Sequence, residues 1–149
     1  MNKLKVFSPS FRDGEFIPDK FTCDGENISP EIKWEGVPED AESLILICDD
    51  PDAAGGDFVH WVVFNIPPDK MGLEENAKIS GIADLGMTDF GRRGYGGPCP
   101  PSGIHHYHFK VYALDQVIDA EKTIDKYRLL EKMKGHILAQ GEIVGLYKR

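Results

Sequence analysis

The chain has 149 residues, 41% of them apolar and 28% charged, with a formal net charge of -8. That length suits a single domain over residues 1–149, burying roughly 68–70% of its unfolded surface, and the acidic balance repels polyphosphate backbones, which excludes nucleic acid as a partner. The strongest apolar runs, Leu44 to Cys48 and Trp61 to Phe64, are far shorter than the ~20 residues of a spanning helix, so stable membrane insertion is not expected.

The segment Met1 to Phe7 carries charge with no apolar run behind it, so no secretory signal is expected. Cys23, Cys48 and Cys99 are odd in number and form no paired motif. Reduced thiols in a cytoplasmic protein are the expectation, with one disulfide and a thiol left over as the alternative. Prolines and glycines punctuate the chain at short intervals, which points to many strands. Ser43 to Asp50 is a short, nearly continuous apolar run, suited to a strand buried on both sides. Val59 to Ile66 is a second strand, ended by Pro67 and Pro68. Ile104 to Leu114 alternates, placing His105, Tyr107, Phe109, Val111 and Ala113 on one face, with His106, His108, Lys110 and Tyr112 on the other. Lys126 to Gln140 carries Tyr127, Leu130, Met133 and Ile137 at helical spacing, with Asp125 as N-cap and Gly141 as stop. Ile143 to Tyr147 reads as a final strand. Short strands with one late helix predict an all-β dominated, two-sheet architecture with the helix packed at one side.

The densest chemistry lies where strands meet loops. Gly94 to Pro101 is a loop stiffened by glycine and proline, and it runs into the strand that opens with His105 and His106. Asp50 shares parity with Leu44, Leu46 and Cys48; His60 shares it with Val62, Phe64 and Ile66; His105 lies on the apolar face of its strand. Three ionisable groups on inward faces are costly unless they pair or meet a ligand. Protonated imidazoles donate to a phosphate or carboxylate, and an aspartate fixes a tautomer or accepts a proton. The simpler reading makes them hydrogen-bonded core groups. His106 and His108 could chelate a metal from one side of the strand, but no glutamate follows over Phe109 to Leu114. Cys99 or Ser102 would need an elbow and an adjacent base to act as a nucleophile, and the surrounding sequence has no Gly-x-Ser-x-Gly. Asp50 and Asp52, two apart, mark a turn more readily than an acid–base pair. Arg92 and Arg93 are exposed loop charges that could also steer an anion.

Taken in order, these segments resemble the phosphatidylethanolamine-binding protein family, also called the Raf-kinase-inhibitor-like proteins. The resemblance spans Leu4 to Tyr147. It rests on Asp24-Gly25-Glu26-Asn27-Ile28-Ser29-Pro30 with Trp34, on Asp50-Pro51-Asp52-Ala53, on His60-Trp61, and on Gly94-Tyr95 through Pro100-Pro101 to His105-His106-Tyr107. It implies two antiparallel sheets in a Greek-key arrangement with a small anion pocket at one end. By that resemblance the pocket residues are Asp50, His60, Pro101, His105 and Tyr107, with Tyr95 and Pro100 beside them. It also implies phosphate-like or phosphoethanolamine ligands, inhibition of kinases or serine proteases in some members, and homodimers among microbial ones. Ala54 replaces a usual proline, His106 stands where arginine is common, and no extra C-terminal helix follows Arg149.

The expectation is therefore a cytoplasmic, non-enzymatic protein without cofactor or metal. It binds a small anion (phosphate, phosphoethanolamine or acetate-like) through His60 and His105 as donors, with Asp50 orienting or accepting. Pro100, Pro101, Tyr95 and Tyr107 shape the walls. The alternative is a protease or kinase inhibitor acting through protein contacts.

Overall fold

The computed structural model describes residues 2–149. In chain order it has β1 (Asn2–Lys3), β2 (Lys5–Phe7), a 3-10 turn at Asp19–Phe21, β3 (Ile32–Glu35), β4 (Ser43–Asp50), β5 (Phe58–Ile66), β6 (Gly72–Leu73), β7 (Asp84–Leu85), β8 (Ile104–Leu114), the helix α1 (Lys126–Met133) and β9 (Ile137–Lys148). Six strands form one sheet in the order β1-β9-β8-β4-β5-β7, and β2-β3-β6 form a second. The smaller sheet is antiparallel. The larger is mixed, because β1 pairs parallel with β9, which modifies the expectation of two purely antiparallel sheets.

Two apolar layers explain why the run in β4 does not alternate. Leu44, Leu46 and Cys48 face the small sheet and pack in a cluster with Ile32, Trp34 and Leu73. Ile45 and Ile47 face the opposite way, into a cluster with Leu129 and Met133 of α1. All eight residues of β4 are buried as a result, and each fully buried aliphatic side chain contributes about 1.5–3 kcal/mol. Trp34, deep between the sheets, satisfies its indole by donating to the Lys70 carbonyl at 2.8 Å.

The late helix begins where expected and stops early. Asp125 caps it, its carboxylate accepting the Arg128 amide at 3.0 Å. The helix ends at Met133; Lys134 leaves helical geometry and Gly135 takes a φ of +79°, a left-handed turn that glycine enters without a Cβ clash. Residues 137–140 join β9 instead, with Ala139 paired to Ala113 and Gln140 to Tyr112. Gly141 is thus a strand residue: a Cβ there would collide with the Leu4 carbonyl oxygen. Leu129 and Met133 face the core, while Tyr127, expected inside, is 56% exposed. Asp125→Ala should lower the unfolding free energy by about 1 kcal/mol, read by chemical denaturation.

Reduced thiols are not what the structure holds. Cys23 and Cys99, 76 residues apart, form a disulfide, and Cys48 is left free and buried. Spacing conceals this pair because the two loops meet only after the sheets assemble, where the Cys23 amide donates to the Pro98 carbonyl at 3.1 Å.

Candidate functional site

Asp50 ends β4 and His105 lies near the start of β8. The β4–β8 register runs to Asp49 opposite His108. One step further sets Asp50 against Tyr107, with His105 as its diagonal neighbour on the same face. The Asp50 Oδ2 meets His105 Nδ1 at 2.6 Å, and its Oδ1 accepts the Asp52 amide at 2.8 Å. Asp52 in turn takes both the amide (2.8 Å) and the ring Nδ1 (2.7 Å) of His106. The His106 ring hydrogen bond, followed by that of its amide, holds the Asp52 carboxyl below its ordinary range. Two neighbouring aspartates therefore clip the turn after β4 onto β8. On the outer face, His108 Nδ1 approaches Glu142 at 3.3 Å, and among the described residues no group of three or more metal-binding side chains converges.

His60 reaches the same place by a different device. The β4–β5 pairing matches Cys48 with Trp61 and then Asp49 with Val59, which leaves His60 as an extra, unpaired residue. This β-bulge re-aims the side chain. A second irregularity lies between the Leu44 and Leu46 pairs. Val62 and Phe64 consequently belong to the helix-side cluster and Ile66 to the other, so the simple alternation that grouped His60 with all three does not hold. The His60 ring meets Tyr107 edge-on at 5.2 Å and Phe90 at 5.3 Å.

The loop before β8 is fastened to this bulge. His60 Nδ1 lies 2.7 Å from the Gly96 carbonyl, while the Gly96 amide donates to the His60 carbonyl at 3.0 Å. Gly97 donates to the Asn27 side chain at 2.8 Å. Its own Cβ, if it had one, would strike the Phe21 carbonyl. Gly97 thus serves a close backbone approach, a Cβ at Gly96 would strike the Phe90 ring, and Gly94 takes a φ of +106°.

These anchors leave a cavity of about 180 Å³, walled by Asp50, His60, Pro100, Pro101, His105 and Tyr107 together with Ala53, Ala54, Phe58, Phe90 and Cys99. It is smaller than the ~300–1,000 Å³ of drug-sized ligand sites. Six of the seven residues singled out from the sequence line it. Tyr95 does not: its hydroxyl donates to the Phe21 carbonyl at 2.7 Å and its ring packs edge-on against Trp61 at 5.4 Å. Arg92 and Arg93 stay outside as well; the Arg92 guanidinium lies 5.6 Å from the Phe90 ring centre and Arg93 donates to the Leu85 carbonyl. Phe58 shares its strand with His60, a signal present in the sequence. Phe90 had none, because it arrives on a strap whose Asp89 accepts the Val59 amide at 2.7 Å.

The protonation pattern follows from the partners. A carbonyl and a carboxylate can only accept, so each Nδ1 carries the proton and each Nε2 of His60 and His105 is turned to other uses. Burial pushes His60 below the ordinary imidazole range, against the Gly96 carbonyl and the charges of Asp50, Asp49 and Asp89. It is neutral at pH 7, and its Nε2 is then an acceptor. Tyr107 is fully buried, and its hydroxyl is the single buried side-chain polar atom without a hydrogen-bond partner among the described residues. Burial, then the charge of Asp50, holds its phenol far above the usual range, so it remains an O–H donor.

The whole chain has close relatives. Residues 7–148 match the family model described as phosphatidylethanolamine-binding protein. A UPF0098 protein of Methanothermobacter thermautotrophicus is 54% identical, the alignment covering 98% of this chain and 99% of that one. A UPF0098 protein of Aquifex aeolicus is 50% identical over 98% of this chain and 89% of its own. Among solved structures, the phosphatidylethanolamine-binding protein homologue CT736 of Chlamydia trachomatis superposes with a TM-score of 0.94 at 40% identity, covering 100% and 99% of the two chains. YbcL of E. coli, described as a new member of the mammalian family of these proteins, gives 0.91 at 33% identity, covering 99% of each.

Proposed function

We propose that this chain, which belongs to the phosphatidylethanolamine-binding protein family, is a non-enzymatic binding protein for a small oxyanion that brings a proton with it. The observation that carries the reading is the unpartnered, buried hydroxyl of Tyr107 on the wall of a cavity shared with two histidines. A buried donor left unmade costs about 1–3 kcal/mol, and a ligand oxygen removes that cost. The expectation that His60 donates to the anion is revised for the ligand-free site, where burial keeps its ring neutral. A fully deprotonated anion then meets a lone pair at the His60 Nε2, on a wall shared with the Asp50 carboxyl. A hydrogenphosphate or phosphomonoester monoanion instead donates its own O–H to an Nε2 and accepts from Tyr107.

Proton linkage separates this reading from a plain cationic pocket. Calorimetry at pH 8 should show hydrogenphosphate binding, with sulfate, which has no proton to offer, about tenfold or more weaker, and phosphoethanolamine, whose phosphate keeps an O–H only below about pH 6, tightening as the pH falls. As pH falls and His60 charges, its ring becomes a donor and the sulfate deficit should close. Protonation also opposes burial: the unfolded chain holds the His60 proton more tightly, so acidification lowers the stability of the ligand-free protein, and a bound anion returns it. His105→Ala should weaken phosphate by about tenfold. Equal affinities for phosphate and sulfate at every pH, or equal heats for wild type and His105→Ala, would remove the reading.

A further inference from the structure

We propose that the Cys23–Cys99 disulfide is a site of thiol–disulfide exchange that sets the affinity of the cavity, an inference that rests on reading the cavity as an anion site. Three observations converge on this bond. Cys99 is itself a wall of the cavity, immediately before Pro100 and Pro101. Both half-cystines are exposed, unlike the buried Cys48, so a dissolved thiol reaches the bond without the protein unfolding. The Arg149 guanidinium lies 3.4 Å from the Cys99 Sγ, and it also pairs with Asp24 at 3.2 Å.

The position of Arg149 selects which sulfur leaves. A cation beside Cys99 stabilises its thiolate, and the more stable thiolate is the better leaving group. An incoming thiolate therefore attacks the Cys23 Sγ: a new S–S bond forms between the attacker and Cys23, the Cys23–Cys99 bond breaks, and Cys99 departs as a thiolate. The second thiol of a dithiol then attacks the attacker's own sulfur, closing its disulfide and releasing Cys23. Two electrons pass to the protein, the dithiol is oxidised, and solvent balances the protons.

The local structure limits what opening this bond disturbs. Residues 95–98 keep their anchors, through Tyr95 to Phe21, Gly96 to His60, Gly97 to Asn27 and Pro98 to the Cys23 amide. Beyond them, the next tie is the backbone pair between Gly103 and Arg149. Opening the bond thus frees Cys99, Pro100 and Pro101 and nothing deeper. It also adds a negative group to the wall an anion must approach, a repulsion that is appreciable at a few ångströms near a protein surface.

The test compares the oxidised protein, the same protein after dithiothreitol, and the variants Cys23→Ser and Cys99→Ser, by native thiol counting and titration with inorganic phosphate. Two thiols should appear on reduction with Cys48 silent, glutathione should be captured on Cys23, and phosphate affinity should fall about tenfold and recover on reoxidation. Cys23→Ser, which keeps the Cys99 thiol, should bind more weakly at pH 8 than Cys99→Ser. Equal phosphate affinity in both redox states would overturn the proposal, and so would all three thiols appearing together, since the bond would then be a staple of the whole fold. Failure of the oxidised protein to bind phosphate would instead overturn the anion reading, and thiol counts with the captured glutathione would still judge the exchange site.

Discussion

Lys126→Met should lower the unfolding free energy by about 3–5 kcal/mol, the cost of leaving one member of a buried ion pair alone. Lys126 opens α1, yet is only 6% exposed, and its ammonium lies 2.6 Å from Asp49, itself 1% exposed. A second contact reaches Asp57 at 3.3 Å, tying the helix to the turn after β4. Burial alone would push the Lys126 ammonium down, but the hydrogen bonds and charges of Asp49 and Asp57 outweigh it and hold it above its ordinary range. Removing the cation leaves Asp49 with Lys110 at 3.3 Å, a more exposed partner, which places the loss toward the lower end. The double variant Asp49→Leu/Lys126→Met should regain most of the loss, because well-packed apolar groups replace a buried pair at little cost. A double variant as unstable as the single one would show that packing of the lysine stem, and not the stranded charge, causes the defect. Urea denaturation reads both variants.

Tyr107→Phe should move stability and binding in opposite directions. Deleting a buried hydroxyl that has no partner should stabilise the ligand-free protein by about 1–3 kcal/mol, while loss of a hydrogen bond to a charged ligand should weaken phosphate by about 10- to 100-fold. The ring itself is kept, with its edge-on contact to His60, so the cavity walls survive the change. Thermal unfolding without ligand and calorimetry with phosphate give the two numbers. A variant less stable than wild type would mean that the hydroxyl is satisfied by ordered water in the ligand-free state, and unchanged phosphate affinity would take Tyr107 out of the ligand's reach.

Much of this was legible in the residues, for unequal reasons. The run Ser43 to Asp50 told its own burial because a strand covered on both faces needs no alternation. The face bearing His105 and Tyr107 was readable because β8 is regular from its start, with an irregularity only at its far end. His60 arrived in the cavity by a route alternation cannot reveal, since the bulge inserts one residue and shifts the parity of the strand on either side of it. The length of α1 was misjudged because Ile137 falls at helical spacing after Met133, and pairing with β8 outweighed that local preference. Cys23 and Cys99 carried no spacing signal at all. Phe90 and the exclusion of Tyr95 depend on where loops lie, which no periodicity encodes.

The bulge at His60 has one more effect. It sits in β5, next to the middle strand of the larger sheet, where hydrogen bonds run on both edges and side chains fill both faces. Amides of β4 should be among the slowest to exchange with solvent, which native-state hydrogen exchange would read. On the anion reading, His60 is mounted beside a doubly covered strand, while the neighbouring turn at residues 51–57, largely in water, is held to β8 through Asp52 and to α1 through Asp57.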